Sequence, residues 1–98
     1  MGPKELRNVV WPLLRQPMPR DEVARRVSIA YNIEDVEAMS VVEQLDADLR
    51  TCLDGIRSAT RENIGLEKER VRRAIPPIAD EHFEVMWDWA GFIIQKGG

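Results

Sequence analysis

Ninety-eight residues, 44% of them hydrophobic, 32% charged and 6% aromatic, have the composition of an ordinary soluble domain built around one core. A net charge of -3 argues against wholesale binding to nucleic acid or membrane, and the single Cys52 excludes an internal disulfide framework and fits a reducing, cytoplasmic setting. A chain this small buries roughly 60 to 65% of its unfolded surface, which leaves little room for a deep active site, and no apolar run approaches the roughly 20 residues of a membrane span.

In chain order, the Met1-Gly2 start lacks the apolar stretch of a secretory signal, and Leu6 stands where a myristoylation signal needs Ser or Thr. Charge then alternates in blocks. The balance is +3 up to Tyr31, -6 from Asn32 to Ile56, +3 from Arg57 to Ile75 and -3 thereafter. Oppositely charged neighbours suit an antiparallel helical arrangement, although each exposed pair contributes only about 0 to 1 kcal/mol.

Apolar residues recur at three and four rather than at two, and no Asn-Gly or Asp-Gly hairpin signal occurs, so the pattern predicts an all-α fold. A first helix starts at about Pro3 and lines up Leu6, Val9, Val10, Leu13 and Leu14. Pro12 lies inside it, where the missing amide and the ring clash predict a kink or a restart. Gln16 to Arg20, with Pro17 and Pro19, reads as a linker. A second helix starts near Asp21, with Val23, Val27, Ala30 and Tyr31 as its buried face.

Asn32, with Asp35 three residues on, reads as an approximate capping box that opens the longest helix, from about residue 33 to 62. Its seam of Ala38, Val42, Leu45, Leu49, Cys52, Ile56 and Ala59 follows a heptad, which fits one helix of an intramolecular bundle or a self-associating coiled coil. Its flanks lack the alternating charges of a parallel dimer, which favours the bundle. Gly55 weakens this helix by about 1 kcal/mol relative to Ala, and Asn63-Ile64-Gly65 ends or bends it.

Leu66 to Ile75 reads as a short charged helix stopped by Pro76-Pro77, and Asp80 as the cap of a last helix. The whole is expected to be one helical domain, residues 1–98, a compact bundle of four or five helices. Gly97-Gly98 reads as an unstructured tail or a cloning remnant.

Catalytic chemistry has little to draw on. His82 is the sole histidine and Cys52 the sole cysteine, and Cys52 sits on the apolar seam, so no nucleophile and base pair is expected and the chain reads as non-enzymatic. One His and one Cys do not make a zinc site, no calcium loop is present, and the acids Glu43, Asp46 and Asp54 read as a solvated face; no metal or cofactor is expected.

For nucleic acid the candidate is the Arg-rich segment 61–73, with Arg61, Lys68, Arg70, Arg72 and Arg73. Glu62, Glu67 and Glu69 interrupt it. A helix-turn-helix reading of Asp21 to Leu49 would put Glu34, Asp35 and Glu37 into the groove against phosphate, which opposes it.

The strongest hint is the last helix. From Phe83 to Ile94 only Glu84 and Asp88 are charged; Phe83, Met86, Trp87, Ala90, Ile93 and Ile94 share one face while Val85, Trp89 and Phe92 point elsewhere. A helix apolar all round needs partners all round, and large aromatics are enriched at interface centres. Val85, Trp89, Phe92 and Ile93 are therefore the expected docking residues of an adaptor or regulatory subunit that binds another protein, and the chain is expected to self-associate as a homodimer through this helix and part of the heptad seam. Insertion into a membrane surface is disfavoured by a single basic neighbour, Lys96.

Overall fold

A computed structural model describes residues 2–96; the closing glycine pair lies outside the described residues. The fold is all-α, as the periodicity predicts, with five helices and no strand among those residues: α1 (Pro3–Leu14), α2 (Arg20–Tyr31), α3 (Asp35–Ser58), α4 (Ile64–Ala74) and α5 (Asp80–Gln95). The chain divides into two compact units between Asp46 and Ala47, within α3.

In the first unit α1 packs on α2, and the core consists of Leu6, Val10 and Trp11, of Val23, Ala24 and Val27, and of Ala38, Val41, Val42 and Leu45. Burying each large aliphatic side chain contributes about 1.5 to 3 kcal/mol relative to leaving it in water. Of the stripe expected on α1 only Leu6 and Val10 are buried; Val9, Leu13 and Leu14 are half-buried, and Trp11 fills the core instead. Nor does α1 restart at Pro12. The proline is exposed in the last turn, where it forfeits one backbone bond close to an end that has few left to make.

The α2–α3 junction corrects two expectations. Asn32 does not open α3; it closes α2, in the left-handed region at φ 53° and ψ 52°, with its N–H donating to the Ser28 carbonyl. The Ile33 N–H donates to the same carbonyl at 3.2 Å, and the Ser28 hydroxyl donates to the Ile33 carbonyl at 2.6 Å. Asn is one of the few residues that adopt this conformation readily. The reversal leaves the last turn of α2 uncovered, so Ala30 and Tyr31 are exposed rather than part of the buried face. Across the same unit Arg20 forms a two-pronged bond with Asp46, Nε to Oδ2 at 2.9 Å and Nη2 to Oδ1 at 2.8 Å.

α3 starts two residues later and stops four sooner than the pattern predicts. Its seam is real: Ala38, Val42, Leu45 and Cys52 are buried, and Leu49, Ile56 and Ala59 half-buried. After Ser58 the chain turns through a reciprocal pair, the Thr60 N–H donating to Asn63 Oδ1 at 2.6 Å and the Asn63 N–H to Thr60 Oγ1 at 3.3 Å. Asn63 thus precedes α4, which begins at Ile64 instead of Leu66.

In the second unit α4 and α5 run antiparallel, fixed by two ion pairs in register, Lys68 with Glu84 and Arg72 with Asp80. The Arg72 guanidinium also lies 5.4 Å from the centre of the Phe83 ring. Asp80, expected as a cap, is the first helical residue after Ala79 and is engaged by Arg72. Val71, Ile75, Ile78, Phe83, Met86, Trp87 and Ala90 make the core with Cys52. Gly55 is the point of closest approach: a Cβ there would lie 2.7 Å from Val71 Cγ2 and 3.7 Å from the Trp87 ring. The sequence marks Gly55 as a weakness in α3, whereas packing makes it the residue that lets α4 and α5 come close.

Candidate interaction surface on the last helix

α5 sorts its apolar residues by depth. Phe83, Met86, Trp87 and Ala90 recur at three and four and point into the core, with Phe83 and Trp87 rings 6.2 Å apart. Off that stripe, Val85, Trp89 and Ile93 are half-buried and Phe92 is 47% exposed. Trp89 and Phe92, three residues apart, stack with ring centres 5.6 Å apart and planes 18° from parallel. Lys96, one turn on, holds its Nζ 5.5 Å from the centre of the Phe92 ring. The four residues expected to dock a partner are thus neighbours on one side of α5, and the two aromatics form a preassembled plate.

Phe92 also lines a groove of about 330 Å³, whose apolar wall is completed by Ile56, Ile64, Trp87 and Gly91, with Asp88 and Gln95 alongside. Gly91 carries no side chain to fill the space, and Ile64 is 37% exposed. Ile56 and Ile64 were not singled out in the sequence as site residues. Their signal was faint: Ile64 sits beside the predicted helix break, where an apolar residue has no face to belong to. Among the described residues Asp88 makes no ion pair. The arrangement offers a flat aromatic plate beside a shallow apolar groove, with a carboxylate at hand.

The cations of the Arg-rich segment are dispersed among carboxylates. Lys68 is bound to Glu84 and Arg72 to Asp80, while Arg70 donates to Glu67 Oε2 from both Nε at 3.0 Å and Nη2 at 2.7 Å, a contact that raises its pKa further. Among the described residues Arg61 and Arg73 alone of the five make no ion pair within the chain. A phosphate backbone would have to displace three intramolecular partners to use the whole strip.

Cys52 is fully buried, and burial, with the nearby Asp48 carboxylate adding to it, pushes its thiol up to about 12. A thiol so disfavoured as thiolate is a poor nucleophile. His82 is half-buried in the first turn of α5, its backbone N–H donating to the Ala79 carbonyl at 3.0 Å. No group of three or more His, Cys, Asp or Glu among the described residues is placed to hold a metal ion, and no helix there is long and apolar enough to cross a membrane. No protein family, curated protein or solved structure matches the chain.

Proposed function

We propose that this chain is a non-enzymatic protein-interaction module, an adaptor or regulatory subunit acting in the cytoplasm, that docks another protein through the exposed side of α5. The observation that carries the reading is Phe92, nearly half exposed while stacked on Trp89: a large aromatic held rigid in water gains most by burial and has little conformational freedom to lose. The Ile56–Ile64 groove beside it gives an incoming apolar side chain a seat. Asp88 is free to meet a cation, and α5 offers few cations of its own, so a partner with an apolar patch and a basic rim fits this face better than a second α5 does. The buried, protonated Cys52 accords with a reducing environment.

Affinity capture with the wild type and with a Trp89→Asp, Phe92→Asp double variant tests this. Because Trp89 is half-buried, Phe92→Ser alone serves as the milder form, and circular dichroism verifies that each variant folds. The expected result is loss of the captured protein with both variants and its retention with Leu66→Ser, an exposed apolar change on α4 outside the groove. Equal capture by wild type and both α5 variants would remove this assignment.

A further inference from the structure

The first unit carries an exposed surface that the α5 reading leaves unused. Ile29 is 76% and Val36 82% exposed, and both line an open hollow of about 780 Å³ along α2 and the first turns of α3, with Pro19 at one end. The charges that α2 contributes to the lining have an order, with Asp35 at the start of α3 adding one more carboxylate. Asp21 and Glu22 form one turn of α2, Arg25 and Arg26 the next, and Ile29 the turn after, so that one face reads acidic, basic, apolar over three turns. Arg26 pairs with Glu22 along its own helix at 3.3 Å, whereas among the described residues Asp21 and Arg25 make no ion pair.

Such a face is complementary to itself when reversed. A two-fold axis passing beside the exposed face of α2, at the level of Val23 and Ala24, sets the Asp21-Glu22 turn of each copy level with the Arg25-Arg26 turn of the other. The same axis brings Ile29 against the other copy's Met18-Pro19 segment, which is itself half-buried at Met18 and exposed at Pro19. Opposite charges meet and apolar meets apolar, in both halves at once, which is the requirement of an isologous interface. A parallel alignment of two α2 helices would instead stack Asp21-Glu22 on Asp21-Glu22 and Arg25-Arg26 on Arg25-Arg26.

We propose that the occupant of this hollow is a second copy of the chain, its α2 lying antiparallel on the first. The surface shares no residue with the docking ridge of α5, and the proposal does not depend on that reading.

Sedimentation equilibrium with charge-reversed variants tests the proposal. The wild type is expected at twice 11.3 kDa at tens of micromolar. An Asp21→Lys, Glu22→Lys variant and an Arg25→Glu, Arg26→Glu variant are each expected as monomers, with a dimer dissociation constant weakened at least tenfold, because each then faces its own charge. Mixed in equal amounts, the two are expected to restore the dimer. All four residues are exposed, circular dichroism verifies that each variant folds, and Ile29→Ser gives an independent apolar disruption. A wild type that stays monomeric at hundreds of micromolar would assign the hollow to a different occupant and overturn the proposal. So would a charge variant as dimeric as the wild type, or a mixture that remains monomeric.

Discussion

One substitution made at two glycines should move stability in opposite directions. Replacing a helical Gly by Ala stabilises by about 1 kcal/mol through propensity alone. At Gly91, within α5, nothing lies within 4 Å of the added Cβ, so Gly91→Ala should gain that amount. At Gly55 the same methyl would sit 2.7 Å from Val71 Cγ2, roughly 1 Å inside an ordinary carbon contact of about 3.5 to 4.0 Å. Val71 is fully buried on α4, and a β-branched residue in a helix has one strongly preferred rotamer, so the methyl has nowhere to turn. Overpacking of this kind costs about 1 to 3 kcal/mol, which outweighs the propensity gain and leaves Gly55→Ala about 1 kcal/mol less stable than the wild type. For a domain near 100 residues that is about 4 to 8 °C in Tm. Urea unfolding followed by tryptophan fluorescence measures both variants against the wild type. A Gly55→Ala protein as stable as the wild type, or a shift of the same sign at both glycines, would refute the close approach of α3 and α4. The contact is also isolated by a cycle: Val71→Ala should cost less in the Gly55→Ala background than alone, since it removes the methyl that clashes.

Asn32→Gly should leave stability unchanged or slightly raised, whereas Asn32→Ala should lose about 1 kcal/mol and Asn32→Val more, because φ 53° penalises a Cβ; thermal denaturation of the three separates them, and a harmless Val would contradict the left-handed turn. Cys52 should resist alkylation in the native protein and react at the rate of unfolding in urea, as followed by mass spectrometry. Its pH dependence has a definite sign. The unfolded thiol ionises near 9.0 and the folded one near 12, so the contribution is complete below pH 9 and is lost as pH rises toward 12, by about 1.4 kcal/mol per unit relative to Cys52→Ala.

Which features could be read in advance depended on whether their cause was local. The four-three spacing from Ala38 to Cys52 follows from how a helix presents one side, and of those positions all but the half-buried Leu49 are buried. The all-round apolar character of α5 was equally legible, and it separates into the buried Met86–Trp87 stripe and the exposed Phe92. Asn32 was misassigned because Asn serves both as an N-cap and as a left-handed terminator, and only three residues separate α2 from α3; no one-dimensional pattern chooses between the two uses. Ile29 stood two positions beyond Val27, off the Val23–Val27 stripe, so its exposure followed from helical geometry once the end of α2 was fixed at Tyr31. The role of Gly55 was not legible at all. It depends on Val71 and Trp87, 16 and 32 residues away along the chain, and packing across such distances leaves no mark in periodicity.

The two proposed surfaces differ in the kind of complementarity they carry, and this decides how they divide the work. A face ordered acidic, basic, apolar satisfies itself under a two-fold rotation, whereas the α5 face, with an aromatic plate, a groove and Asp88, carries a single cation, Lys96, already held over the Phe92 ring. On the two proposals, self-association is assigned to α2 and recognition of another protein to α5. A dimer joined through α2 presents two α5 ridges, and a partner with two matching patches then binds its second ridge intramolecularly, gaining about 10² to 10⁴ in avidity without any new contact. Charge reversal on α2 should in that case weaken capture of a bivalent partner while leaving a monovalent one untouched, so the helix that carries no aromatic plate would still set how strongly the plate is used.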